Sequence, residues 1–428
     1  MIRVFLFLFV FLFSTNIFGL DVDETIKNTI NNNSKIRIAL EKLNESKELI
    51  EKATGAKLPT VTSTISGTYS KSDKKTTTAE TTPETFTDLY KITITQNLYD
   101  AGSNDLEIER SKILYNDEII NFQIIIQDLI LDAITGYLTV INYEKSLEAT
   151  TKNYELVLKG LEEIKTRHSL GSATLYELQS GESSFAIVKA NLFAAEQNLK
   201  ISKKSFKRIV GLDPYDLEDV VNINLDQDIS SIMDVAKNNN LSLKLLSNNV
   251  KNNEILLLKE KLTKKPTLDF TGTAEYSDAG RIDSGTEEAK GSLSLTLTVP
   301  LYQQGIDDSN IRKYQSQILQ SEIEYEDFLQ DLMINISNTL KDFNISKANM
   351  ISNQTVIKTS ETALISLKEE YDIGTKTIND ILEEEEKLLS SNVEFLNSKK
   401  DYLINYFKIK SLEGTLLNIF QNYLPTIN

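Results

Sequence analysis

The chain repeats itself at about half its length. Asn31-Asn32-Asn33, Pro59, Thr60 and Tyr69 recur 207 positions on as Asn238-Asn239-Asn240, Pro266, Thr267 and Tyr276. Leu98-Tyr99, Gly102, Gly171 and Thr174 recur 203 positions on as Leu301-Tyr302, Gly305, Gly374 and Thr377. The offset changes only between Tyr69 and Tyr90, in a Lys/Thr/Glu-rich stretch of the kind where a surface loop alters its length cheaply. Any fold for this sequence has to accommodate the same unit twice. A period this long marks duplication of a supersecondary unit, here helix, hairpin, long helix, turn and long helix.

Within each half the first strong pattern has a period of two. Val61, Ile65 and Tyr69 alternate with Thr60, Thr62, Thr64, Ser66 and Thr68, and Tyr90, Ile92, Ile94 and Leu98 with Lys91, Thr93, Thr95 and Asn97. In the second half Leu268, Phe270, Gly272, Ala274 and Tyr276 oppose Asp269, Thr271, Thr273 and Glu275, while Leu293, Leu295, Leu297, Val299 and Leu301 oppose Ser292, Ser294, Thr296 and Thr298. Each run spans about ten residues, enough at roughly 3.3 Å per residue to cross a tilted bilayer path. Tyr69, Tyr90, Tyr99, Tyr276 and Tyr302 stand near the ends, as in an interfacial girdle. A soluble sandwich with one wet face generates the same alternation. Four strands are too few to close a barrel, however, and an open edge in lipid leaves backbone groups unpaired at several kcal/mol each. Strands that span a membrane therefore require oligomerisation, and three copies would supply twelve.

The second pattern has a period of seven. Ile119, Ile126, Ala133, Val140, Leu147, Tyr154 and Leu161 are matched 203 positions on by Glu322, Leu329, Ile336, Phe343, Met350, Ile357 and Leu364. The return segments agree: Leu178, Phe185, Leu192, Leu199 and Phe206 against Ile381, Leu388, Phe395, Tyr402 and Ile409. Such spacing predicts coiled-coil-like packing of neighbouring helices. Asn104 to Arg167 contains no proline, and its 64 residues extend about 95 Å as a helix, too long for one globular core to wrap. Antiparallel pairs joined at Ser169-Leu170-Gly171 and Asp372-Ile373-Gly374 account for it better. Glycine supplies the left-handed conformation that ends a helix. Thr174 or Ser172, and Thr377 or Thr375, cap the helices that follow.

Residues 1–19 carry Arg3, an apolar run from Val4 to Phe13 and a polar exit, which predicts a secretory leader removed near Gly19 or Leu20. No later segment approaches the roughly 20 uninterrupted apolar residues of a membrane helix. The absence of cysteine excludes disulfides and thiolate metal sites, and a single histidine excludes a His-cluster metal site. The formal charge of -16 becomes -17 once Arg3 leaves, which argues against nucleic acid and suits a pathway that prefers cations. The sequence offers no phosphate loop, no nucleophile with a base and no paired-carboxylate site, so neither catalysis nor a cofactor is expected.

Tyr371-Asp372-Ile373-Gly374-Thr375-Lys376-Thr377-Ile378-Asn379-Asp380-Ile381-Leu382 resembles the second helical hairpin tip of TolC-family outer-membrane efflux proteins, whose pattern is Tyr-x-x-Gly-Thr-x-Thr-x-x-Asp-Val-Leu. Residues 167–178 resemble the first tip, 300–305 the strand-to-helix junction and 402–416 the closing helix. The resemblance implies a membrane α+β fold: a homotrimeric twelve-stranded transmembrane β-barrel, four strands per protomer, continued by a coiled-coil-like α-helical barrel through the periplasm. On that reading residues 20–212 are the first structural repeat, with hairpin 59–99 and helices 103–166 and 174–210. Residues 213–413 are an equatorial segment and the second repeat, with hairpin 266–302 and helices 306–369 and 376–413. Residues 414–428 are an equatorial tail, and the polar stretches 71–88 and 277–290 are extracellular loops. The implied partners are two further copies of the chain, outer-membrane lipid, a periplasmic adaptor and an inner-membrane transporter of RND, ABC or MFS type.

The resemblance also implies a periplasmic gate. Tyr371 and Lys376 on a mobile coil would face Tyr176 and Glu177 on its neighbour, with Asp380 and Glu383 as an entrance ring of carboxylates attractive to cations. Gly171, Gly374, Thr174 and Thr377 mark the tip turns and adaptor contact. Lys376 stands where arginine is usual, and lysine lacks the planar fork of a two-pronged link. The expected function is an outer-membrane exit duct for small molecules or polypeptides. The rival is a structural periplasmic coiled-coil or adhesin-like protein, which explains the heptads and leader but not four strands of bilayer length.

Overall fold

The computed structural model describes residues 19–72, 74–75, 80–81, 84–220, 223, 225, 228–281 and 284–425. The leader expected over residues 1–19 thus lies outside the described residues, apart from Gly19. The chain divides into two compact units, one of Met1–Ile36, Ile125–Asn240 and Leu332–Asn428, the other of Arg37–Ile124 and Leu241–Asp331.

The second unit holds the sheet. Strands β1 (Thr60–Lys71), β4 (Glu84–Tyr99), β5 (Thr267–Arg281) and β6 (Ser284–Thr298) form one antiparallel sheet in that order, and β2 (Lys74–Lys75) pairs with β3 (Glu80–Thr81). Register aligns the two-residue periods of all four long strands. Val61, Ile94, Gly272 and Leu293 make one cross-strand row, and Ile65, Tyr90, Tyr276 and Ala289 another. Rows of the opposite face read Thr60-Thr95-Thr271-Ser294 and Thr62-Thr93-Thr273-Ser292, with Lys91 and Glu275 paired at 3.7 Å. One face is apolar and the other hydroxylic and charged. Among the strand residues whose burial is described, only Gly272 is buried; Ile65 is 73 % exposed and Leu293 81 %. A sheet that folds onto a soluble core covers its apolar face, and this one is bare.

The polar stretches expected to be loops are largely strand. β5 continues to Arg281 and β6 begins at Ser284, while β1 reaches Lys71 and β4 begins at Glu84. Polar cross-strand pairs extend the ladders: Ser70 and Thr85 hydroxyls meet at 2.6 Å and Lys71 pairs with Glu84 at 2.7 Å. The sequence loses its apolar alternation there, but backbone pairing does not need it.

Helices α2 (Ser34–Gly55), α3 (Ser103–Ser169), α6 (Leu241–Leu262) and α7 (Ile306–Asp372) flank the strands in sequence. The strand-to-helix junctions each use two successive left-handed residues, Ala101 (φ 59°) with Gly102 (φ 94°) and Gln304 (φ 55°) with Gly305 (φ 76°). The first is held by the Asp100 carboxylate, which accepts from the Gly102 and Asn104 backbone N–H groups at 2.9 and 2.6 Å. That satisfies helix donors which otherwise have no partner.

The first unit is helical: α1 (Val22–Asn32), the later turns of α3, α4 (Leu175–Val210), α5 (Ile229–Asn239), the later turns of α7, α8 (Ile378–Leu412) and α9 (Leu416–Ile419). Every apolar residue of the seven-residue series is buried or half-buried, and the odd member, Glu322, is exposed. One window of α3 is apolar enough by length and composition to cross a membrane, a segment the uninterrupted-run criterion passes over because Gln127, Asp128 and Asp132 interrupt it. More than half of that window is buried inside the protein. Ile126, Ile130, Ala133, Ile134 and Tyr137 lie there at 2 % exposure or less, and the Tyr137 hydroxyl lies 2.8 Å from the Leu20 carbonyl and 2.7 Å from that of Glu218. Two asparagines tie the short helices to the ends of the return helices. Asn33 donates to the Ile209 carbonyl at 3.1 Å and Asn240 to that of Leu412 at 2.9 Å.

Candidate functional site

The helical tips are built by the same local chemistry twice. At the end of α3 the Ser172 N–H donates to the Arg167 carbonyl at 2.8 Å and the Gly171 N–H to that of His168 at 3.0 Å. At the end of α7 Thr375 donates to Glu370 and Gly374 to Tyr371, both at 2.9 Å. Both are Schellman turns, with φ of 75° at Gly171 and 80° at Gly374. Of the alternative caps, the structure uses Thr174 and Thr377. Each hydroxyl accepts from the backbone N–H three residues on, while Glu177 and Asp380 reach back to the threonine N–H at 2.6 and 2.7 Å. These are two complete capping boxes. Backbone and hydroxyl hydrogen bonds from the threonines hold both carboxyls below the usual carboxylate range.

The expected gate residues divide into two groups. Tyr371 is brought into a cross-hairpin cluster, but its partners are on α3. Its hydroxyl donates to Glu163 and accepts from Arg167 Nη1 at 2.9 Å, and the guanidinium carbon lies 5.8 Å from the ring centre. Burial, then the Glu163 carboxylate, pushes the phenol up, so it remains a donor at physiological pH. Beneath it Val157, Ile164, Val188, Leu364, Ile378, Ile381 and Leu382 form the apolar core of the tips. Tyr176, 77 % exposed, and Lys376 are on the surface, and no hydrogen bond or ion pair joins Tyr371 or Lys376 to Tyr176 or Glu177 among the described residues of this chain.

Asp380 is engaged at the start of its own helix, with Lys376 as a weaker electrostatic neighbour. Glu383 and Glu386 are exposed on one flank of α8, whereas Glu385 is buried and paired with Lys368 at 3.2 Å, and Glu384 is paired with Lys387. The glutamate run is therefore three different environments. Arg167 and Glu163 escaped sequence reading because their partner is more than 200 positions away. Their basic-acidic i, i+4 spacing before a tip turn was the available signal.

Known proteins share this architecture. A family described as outer membrane efflux protein matches residues 25–212. Outer membrane protein TolC of Escherichia coli (strain K12) is 25 % identical over 341 residues, covering 76 % of this chain and 68 % of that protein. Outer membrane efflux protein BepC of Brucella suis biovar 1 (strain 1330) is 22 % identical, covering 75 % and 69 %. Among solved structures, the Campylobacter jejuni CmeC outer membrane channel superposes with a TM-score of 0.79 at 16 % identity, covering 94 % of this chain and 89 % of that one.

Proposed function

The chain belongs to the TolC family of outer membrane efflux proteins and resides in the outer membrane, and from that premise we propose that it is the passive exit duct of a tripartite assembly. Three copies, each giving four strands, close a twelve-stranded barrel whose apolar face meets lipid and whose threonine and serine face lines a polar lumen. The single observation that carries this reading is the uncovered sheet, with apolar rows on one face, hydroxyl rows on the other and free edges at β1 and β6. In lipid those edges have to pair with another chain. Exposed Leu319, Ile323, Ile334 and Ile345 along α7 support further contacts between copies in the helical region.

At the tips, the Glu163–Tyr371–Arg167 cluster acts as a latch between the two hairpins, and three latches set the resting aperture. Tyr176 and Lys376, exposed and unlinked to one another within the chain, are available to a neighbouring copy or to a periplasmic adaptor, as are Leu170 and Ile373. Asp380 and Glu383, repeated threefold, set cation preference at the entrance. The two tip turns, at Gly171 with Thr174 and at Gly374 with Thr377, form the end that the adaptor meets, and an inner-membrane transporter supplies the energy.

Extraction and bilayer recording test the reading. The expected result is a detergent-dependent trimer from outer membranes that gives cation-selective steps in planar bilayers. A water-soluble monomer, which the structural coiled-coil alternative requires, would overturn it.

A further inference from the structure

Two equivalent helices of the duplicated unit are covered unequally. Helix α6 is bonded to both α7 and α3. On its α7 side Asn253 donates to the Ser321 hydroxyl at 3.3 Å, Asn310 donates to the Glu260 carboxylate at 2.8 Å, and Lys264 pairs with Asp308. On its α3 side Lys259 pairs with Glu107, and Asn248 donates to Asp117 at 2.7 Å. Helix α2 is the counterpart of α6, 207 positions earlier. The first seam recurs there: Ser46 and Ala53, the counterparts of Asn253 and Glu260, are buried, and Lys57 pairs with Asp105 as Lys264 does with Asp308. The second seam does not recur. On α6, Leu245, Asn248, Asn252, Ile255 and Lys259 are buried or half-buried, whereas their counterparts Ile38, Glu41, Glu45, Glu48 and Lys52 are all exposed. On the facing helix Ile120 of α3 is 6 % exposed and its counterpart on α7, Ile323, is 60 % exposed. One chain thus makes this seam once and offers its two halves a second time, on α2 and on α7, without joining them.

We propose that the exposed face of α2 docks on α7 of a second copy, in the register with which α6 docks on α3. This rests on the reading of the chain as an assembled duct and specifies which surfaces of neighbouring copies meet. Carrying Lys259–Glu107 and Asn248–Asp117 over by the offsets 207 and 203 sets Lys52 opposite Asn310, and Glu41 opposite Gln320, of the next copy. The rest of that antiparallel register matches in chemistry, although nothing in the offsets requires it. Glu48 falls opposite Lys313, Glu45 opposite Ser316 and Ile38 opposite Ile323. The acids that distinguish α2 from α6 therefore meet a lysine, a hydroxyl and an amide, and two exposed isoleucines cover each other. Asn310, whose amide nitrogen serves Glu260, keeps its oxygen for Lys52. The offsets carry the sheet over in the same way. Tyr90 opposite Tyr276 becomes Leu293 opposite Tyr69 of the next copy, which joins the free edges of β6 and β1 with both residues on the apolar face. A copy that offers β6 and α7 on one side thus meets β1 and α2 of its neighbour, a head-to-tail interface of the kind that closes into a ring.

The chain has no cysteine, so introduced thiols report only the intended contact, and a disulfide requires Cα atoms within about 7 Å. Glu48→Cys on one full-length copy and Lys313→Cys on a differently tagged copy, co-expressed and oxidised in the outer membrane, should give a reducible link between the two tags. Ile38→Cys with Ile323→Cys should do the same. Glu51 lies on another flank of α2, since its counterpart Leu258 is 47 % exposed on α6, and Glu51→Cys should give no product with Lys313→Cys. Glu48→Lys should lower the yield of trimer, and adding Lys313→Glu should restore it, which damage to the fold by either substitution would not do. A trimer in detergent that forms neither link, or that links Glu51→Cys as readily, would overturn this interface and leave the duct reading standing. A monomer throughout would overturn the duct reading and this interface with it.

Discussion

Replacing Tyr371 by phenylalanine isolates the proposed latch. The ring stays, so its packing on the tip core and its approach to Arg167 are kept, and only the hydroxyl's bonds to Glu163 and Arg167 are lost. Hydrogen bonds to charged groups contribute about 1.5–3 kcal/mol when buried. Tyr371 is half-buried and Glu163 is exposed, so screening reduces the pair to about 1 kcal/mol per chain. In the proposed trimer, three chains opening together would lose about 3 kcal/mol, which at tenfold per 1.4 kcal/mol raises the open-to-closed ratio on the order of 100-fold. Single-channel recording in planar bilayers reads that ratio directly. Glu163→Gln should open the channel in the same direction, and the double variant should open it little further than either alone, because both remove one interaction. Unchanged open probability in Tyr371→Phe, or fully additive effects in the double variant, would show that this cluster does not hold the tips.

Other consequences are open to simple measurement. Gly374→Ala should cost about 1–2 kcal/mol from its left-handed backbone alone, since nothing lies within 4 Å of the added methyl. Gly414→Ala should lower Tm further, because its methyl would sit 2.3 Å from the Asn239 carbonyl oxygen. Glu177 and Asp380 have depressed carboxyls in the folded chain, so their contribution is present above the unfolded carboxylate pKa and is lost as pH falls through the folded one. Thermal unfolding below about pH 4 should therefore be less pH-dependent in a Glu177→Gln, Asp380→Asn variant. Leu295→Lys, on the bare apolar face, should cost about 2–4 kcal/mol if it lies at the bilayer midplane and deplete the trimer in membranes. Ser294→Lys, one residue away on the hydroxyl face, should assemble normally and alter ion selectivity. Asp219 is held between Lys145 at 2.5 Å and Lys399 at 2.9 Å; Asp219→Ala should speed hydrogen exchange in residues 213–220 without shifting global Tm by more than about 2–4 °C.

The elements whose information is local were legible. Alternating Thr and Leu fixed the faces of β6, and the seven-residue series marked the covered stripes of the long helices down to the exposed Glu322. The turns at Gly171 and Gly374 could be placed because a left-handed residue followed by a threonine cap is chemistry of a few consecutive residues. Which hydroxyl caps the helix was not legible, since Ser172 and Thr174 offer the same oxygen; phase relative to the turn selects Thr174. The ladders beyond Tyr69 and Tyr276 were missed because polar strands have no apolar period. Tyr371 was singled out but its partners were not. Glu163 and Arg167 meet it through the crossing of α3 and α7, a distance in sequence that no periodicity reports.

The bare sheet has a consequence for how the protein is made. A newly exported copy presents an apolar face and two unpaired ladder edges to an aqueous compartment before any partner is present. Both features are templates for wrong association as readily as for right. If the proposed trimer is the assembled form, maturation is a race whose winning branch needs three molecules to meet, and its rate climbs steeply with local concentration. Slow expression and dense expression should give different fates for the same sequence. The very incompleteness that allows the chain to form a duct makes the solitary protomer the most vulnerable species in its life.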